Sequence, residues 1–144
     1  MNETVLVVEN DADERRRLSL TLGDAGFDVM ICPGPSAPDY TCLGGRGKDC
    51  PLIQPAAAIV LDLRTEGDVM MRGTPGWQLL DYYTDRGRPV VAIAGEGASV
   101  PHDDARVTVL PRHADERLIV AAVRAAMLRG AEAGDRSGRD AARP

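Results

Sequence analysis

The residues able to do chemistry sit at the ends of apolar runs. Glu9, Asn10 and Asp11 follow Val5-Leu6-Val7-Val8, and Asp62 closes the run that starts at Ala56 and continues through Ile59-Val60-Leu61. An ionised carboxylate inside a buried strand is costly, because it loses water without gaining a counter-charge. At a strand's end it can instead face the crevice where open α/β sheets bind ligands. Two further runs end in the same manner, Val90-Val91-Ala92-Ile93-Ala94 at Gly95, and Val107-Thr108-Val109-Leu110 at Pro111, Arg112 and His113. Acids on neighbouring strand ends beside a cation suit a divalent metal and a phosphoryl group. A hard ion such as Mg²⁺ takes oxygen ligands and keeps several waters, and an Asp can accept a phosphoryl group as a nucleophile. The plainer roles are local: Glu9, Asn10 or Asp11 can cap the following helix, Asp62 a turn, and His113 a surface loop.

The elements that must position these residues follow from hydrophobic pattern. Residues 4–8, 27–32, 56–63, 89–94 and 106–110 read as strands, and the runs without alternation read as strands buried on both faces. Residues 12–25 form a helix with Leu18, Leu22 and Ala25 on one face, capped by Asp11 or Asp13 and stopped by Gly26. Pro75-Gly76 opens a second helix through Tyr83, closed by Arg86-Gly87, with Trp77 as a core anchor. Residues 114–129 form a third, with Leu118, Ala121, Ala122, Ala125 and Leu128 expected on its inner side. Between the second and third strands, Pro38, Gly44, Gly45, Gly47 and Pro51 break any helical pattern. Residues 64–74 are irregular, and residues 95–104 barely hold a helix. Strands separated by right-handed crossovers make an α/β sandwich on a parallel sheet. Residues 1–129 are read as a single domain and residues 130–144 as a disordered tail without periodicity.

The totals exclude several classes. The formal charge of −5, with no basic cluster beyond Arg15-Arg16-Arg17, argues against nucleic-acid binding. No apolar run approaches the roughly 20 residues of a membrane span, and no signal peptide precedes the first strand, so a cytoplasmic protein is expected. Three cysteines are too few for a disulfide scaffold. Cys42 and Cys50 flank a Gly-rich loop, but two sulfurs without a nearby His make a poor zinc site. That loop also lacks the Lys-Ser/Thr ending of a phosphate-binding P-loop.

Taken in order, Val5 to Asp11, Ile59 to Arg64, Pro75 to Leu80, Pro89 to Ala94 and Leu110-Pro111-Arg112 resemble the receiver domains of two-component response regulators, over roughly residues 3–129. The resemblance implies a flavodoxin-like doubly wound fold with five parallel strands in the order 2-1-3-4-5, here with eroded helices after the second and fourth strands. It implies phosphotransfer from a histidine kinase to Asp62, Mg²⁺ held near Glu9, Asn10 and Asp62, and Arg112 in place of the family's phosphoryl-contacting Lys. Departures are visible too. Asn10 replaces an acid, Ala94 stands where a Thr or Ser hydroxyl switches the family, and Val109 replaces a common aromatic residue.

With no output domain read in the chain, the expected role is a stand-alone atypical receiver that acts through protein contacts in a phosphorelay and is not an enzyme. A histidine kinase or another signalling protein is the expected partner, and a homodimer is allowed. The alternatives are a phosphorylation-independent pseudo-receiver, favoured by Asn10, Ala94 and Val109, and a redox module using Cys42 and Cys50.

Overall fold

The computed structural model describes residues 2–34, 42–44, 47–63, 75–95 and 104–141, with side chains described as far as Gly130. The strands are β1 (Thr4–Val8), β2 (Asp28–Cys32), β3 (Ala58–Asp62), β4 (Val90–Ala94) and β5 (Val107–Pro111), and the helices α1 (Ala12–Asp24), α2 (Pro75–Asp85) and α3 (Glu116–Ala141). All pairings are parallel, as the apolar runs predict, and the order is β2-β1-β3-β4-β5, as the resemblance implies. The three central strands are the ones without alternation, and β3 and β4 are buried at every residue. The edge strands β2 and β5 keep exposed positions, because only one of their sides meets another strand and their faces are less fully covered.

Side-chain alternation divides the core in two. Val5, Val7, Ala58, Val60, Val91 and Ile93 pack against Leu18 and Leu22 of α1 and Ile119, Val123 and Ala126 of α3. Leu6, Val8, Ile59, Leu61 and Ala92 pack against Trp77, Leu79, Leu80 and Tyr83 of α2 and against Ile53. Trp77 is thus the core anchor expected of it. Among the described residues no helix lies between β2 and β3 or between β4 and β5. Residues 48–50 are instead tied to α2, where the Tyr82 hydroxyl accepts from Cys50 N–H at 2.9 Å and donates to the Lys48 carbonyl at 2.7 Å. Gly44 permits this approach: a Cβ there would stand 3.1 Å from Tyr82 Cδ1 and Cε1.

Two expectations for the last helix need correction. Its inner stripe is Ile119, Ala122, Val123 and Ala126, while Leu118 and Leu128 are 46% and 68% exposed. Both sets have helical spacing, and the side of the helix that meets β3, β4 and β5 is the one bearing β-branched Ile119 and Val123. The helix also runs to Ala141, beyond the end expected at Arg129. Gly130 is not a stop signal here. A Cβ at that position would lie 3.0 Å from Pro89 Cγ, so the glycine permits close packing at a cost of about 1 kcal/mol in helix propensity, and Ala131, Glu132 and Ala133 then continue the helix.

Residues 64–74, residues 35–41 of the second connection and most of the segment 95–104 lie outside the described residues. Cys42 and Cys50 form no disulfide; each is half-buried against the α2 side of the core, which lends no support to a redox role. No helix among the described residues is long and apolar enough to cross a membrane.

Candidate functional site

Register brings the two acids together. Val8 pairs with Leu61 and Asp62 with Ile93, so Glu9 and Asp62 stand side by side at the carboxyl edge of the sheet. Both are buried, Glu9 1% and Asp62 7% exposed. The ladders outlast the strands by one residue at this point. Glu9 N–H donates to Cys32 O at 3.0 Å, and Leu63 N–H to Ile93 O at 2.9 Å. Both carboxylates therefore rise from hydrogen-bonded backbone and are held where the strands put them.

The turn after β1 fixes Glu9 further. Its Oε1 accepts from Asp11 N–H at 3.0 Å, and its carbonyl accepts from Arg15 Nη1 at 2.9 Å. Asp11 is the helix cap, since its Oδ1 accepts from Asp13 N–H at 2.9 Å and Glu14 N–H at 3.0 Å. That satisfies two of the amides a helix start leaves without intrahelical partners. Asn10 is exposed at the crest of the same turn. Of Arg15, Arg16 and Arg17, only Arg16 is exposed. Arg17 pairs with Glu14 on the helix. Arg15 sits one turn into the helix after the acids, and that spacing was the available signal that it returns to their loop.

Arg112 reaches the crevice from β5. Its N–H donates to Ala94 O at 2.7 Å, which fixes the base of the side chain at the end of β4. The guanidinium then passes over Gly95, where a Cβ would lie 3.8 Å from Nη1, and Nη2 comes 3.8 Å from Asp62 Oδ1. This is an ion pair beyond hydrogen-bond distance, with Asp62 nearly buried and Arg112 26% exposed at the side chain. Ala94 is buried and presents a methyl group. Val109 is 41% exposed. His113 is exposed, with its backbone in the left-handed region, φ 67°, in the loop leading to α3.

Among the described residues no group of three or more His, Cys, Asp and Glu side chains assembles a metal site. The crevice offers the carboxylates of Glu9 and Asp62, and Asn10 follows Glu9 as an exposed residue. Such a sparse, oxygen-only set suits Mg²⁺, which commonly takes one or two carboxylates and completes its shell with water and phosphate oxygens.

No family model matches the sequence, and no curated protein matches it. Solved structures do. The fold is similar to a CheY-like response regulator receiver domain protein from Methanospirillum hungatei JF-1, with TM-score 0.62 and 19% identity over 90% of this chain and 97% of that one. It is similar to a response regulator receiver protein from Sinorhizobium medicae WSM419, with TM-score 0.57 and 18% identity over 90% of this chain and 97% of that one. A protein described as an adenylate cyclase from Rhodopirellula baltica superposes with TM-score 0.71 and 18% identity over 99% of this chain and all of that one. At these identities the likeness concerns the fold.

Proposed function

We propose that this chain, which has the flavodoxin-like fold of response regulator receiver domains, is a phosphorelay module that accepts a phosphoryl group on Asp62 from a histidine kinase. The observation that carries this reading is the buried Asp62 carboxylate at the end of the central strand, beside buried Glu9 and 3.8 Å from Arg112. In the transfer, an Asp62 carboxylate oxygen attacks the phosphorus of a phosphohistidine. The O–P bond forms as the N–P bond breaks, and the imidazole leaves with the bonding pair and takes up a proton.

Burial holds the Asp62 oxygens in one place and keeps bulk water from competing for the phosphorus. Arg112, anchored through its own N–H to Ala94 O, supplies a fixed guanidinium to the phosphoryl oxygens, a pairing its planar fork suits. Glu9 and Asn10, with Asp62, are the residues to hold Mg²⁺. When bound, Mg²⁺ supplies positive charge to the phosphoryl oxygens. Glu9 is oriented for this by Asp11 N–H.

Ala94 has no hydroxyl to bond the new phosphoryl group, so the readout falls to Arg112 and the loops around it. The module is modified and unmodified in a cytoplasmic signalling chain; it does not turn over a substrate of its own, and its partners are proteins. Incubation with acetyl phosphate and Mg²⁺, followed by intact-protein mass spectrometry, tests the reading. The wild type gains one phosphoryl group and Asp62→Ala gains none. Absence of phosphoprotein in both, with acetyl phosphate and with phosphorylated kinases alike, overturns it.

A further inference from the structure

A second concave site lies at the opposite edge of the sheet from Asp62. Residues 49–54 approach the start of β3, Arg86 and Arg88 lead from α2 into β4, and between them is a cavity of about 470 Å³ lined by Asp49, Cys50, Pro51, Ile53, Gln54, Arg86 and Arg88. That volume is within the range of small-molecule sites.

Both guanidinium groups are held in place by groups other than buried acids. Arg86 stacks 3.5 Å over the Tyr82 ring and donates from Nη1 to Tyr82 O at 3.3 Å. Arg88 donates from Nη2 to Gln54 O at 3.2 Å. The acid at the rim, Asp49, is fully exposed, with Oδ1 4.0 Å from Arg86 Nη2, a distance and exposure at which an ion pair contributes little. Arg88 Nε is buried and has no hydrogen-bond partner among the described residues. Two cations thus meet at a cavity with donors the protein does not use, while Pro51 and Ile53 supply an apolar wall.

We propose that this cavity binds a small anionic molecule, its carboxylate or phosphate group held by Arg86 and Arg88 and its apolar body against Pro51 and Ile53. A fixed guanidinium fork matches either oxyanion, and the pairing of a charged head with an apolar wall is the usual composition of a metabolite site. The site is independent of phosphotransfer to Asp62.

The test is an amide chemical-shift titration of the full chain with inorganic phosphate and, separately, with benzoate, at constant ionic strength. Saturable shifts centred on Cys50, Ile53 and Gln54 are expected with at least one probe, and the probe that saturates identifies the head group. Arg88→Gln and Arg86→Gln each weaken binding by roughly tenfold or more, as expected for loss of a charge-assisted hydrogen bond, while Asp62→Ala binds as the wild type does. If Arg88→Gln loses its native spectrum, Arg86→Gln carries the comparison. Shifts that stay linear with both probes, or equal affinity in the folded arginine variants, overturn the proposal.

Discussion

Replacing Arg112 with alanine removes the cation 3.8 Å from Asp62 and leaves the Glu9 and Asp62 carboxylates side by side, 1% and 7% exposed. At that separation and an effective dielectric of about 20, the lost attraction is about 4 kcal/mol before desolvation is counted. The arginine regains hydration when unfolded, and at 26% exposure it is only partly desolvated in the fold. The net cost should therefore fall near or below the roughly 3–5 kcal/mol of breaking a fully buried pair, at about 2–3 kcal/mol. Urea unfolding of wild type, Arg112→Ala, Asp62→Asn and the double variant measures it. The account requires the arginine to matter because the carboxylate is there, so Arg112→Ala should cost at least about 1 kcal/mol less when Asp62 is already Asn. Equal cost in both backgrounds, within about 0.5 kcal/mol, would mean that Arg112 stabilises by packing alone and would refute the electrostatic reasoning.

Other outcomes follow from single contacts. Tyr82→Phe removes both bonds that tie residues 48–50 to α2, so stability should fall by about 1–3 kcal/mol and hydrogen exchange should accelerate at the Cys50 amide before the core strands. Leu80→Ala empties a position of α2 that is 0% exposed against the sheet; calorimetry should show a loss of about 2–5 kcal/mol with the parallel sheet retained. Ala94→Thr adds a hydroxyl at the end of β4 near the Arg112 backbone. Phosphorylation of that variant should perturb the amide resonances of Arg112 and β5 more widely than phosphorylation of the wild type, and identical perturbation would show that the hydroxyl has no switching role here.

The sheet was legible because β1, β3 and β4 are buried on both faces and so consist of uninterrupted Val, Ile, Leu and Ala, a pattern that surface helices do not produce. The acids were legible for the same reason, since Glu9 and Asp62 interrupt that pattern at its ends. Harder to read were features set by partners distant in sequence. Leu118 and Ile119 head overlapping helical stripes, and only contact with β3, β4 and β5 selects the second. Tyr82 reads as an ordinary core aromatic, yet its hydroxyl is committed to Lys48 and Cys50, more than thirty positions away. Arg86 and Arg88 look like the polar end of a helix until residues 49–54 close over them. Arg15 lies in a triplet of identical charges, of which only the one a turn beyond Asp11 can reach back to Glu9 O.

The central claim is that Asp62 is the phosphoryl acceptor. Treating phosphorylated protein with borohydride reduces an aspartyl phosphate to homoserine, which peptide mass spectrometry can place by residue. The account predicts homoserine at position 62 and nowhere else, and modification at another residue, or a phosphoprotein that yields none, would contradict it.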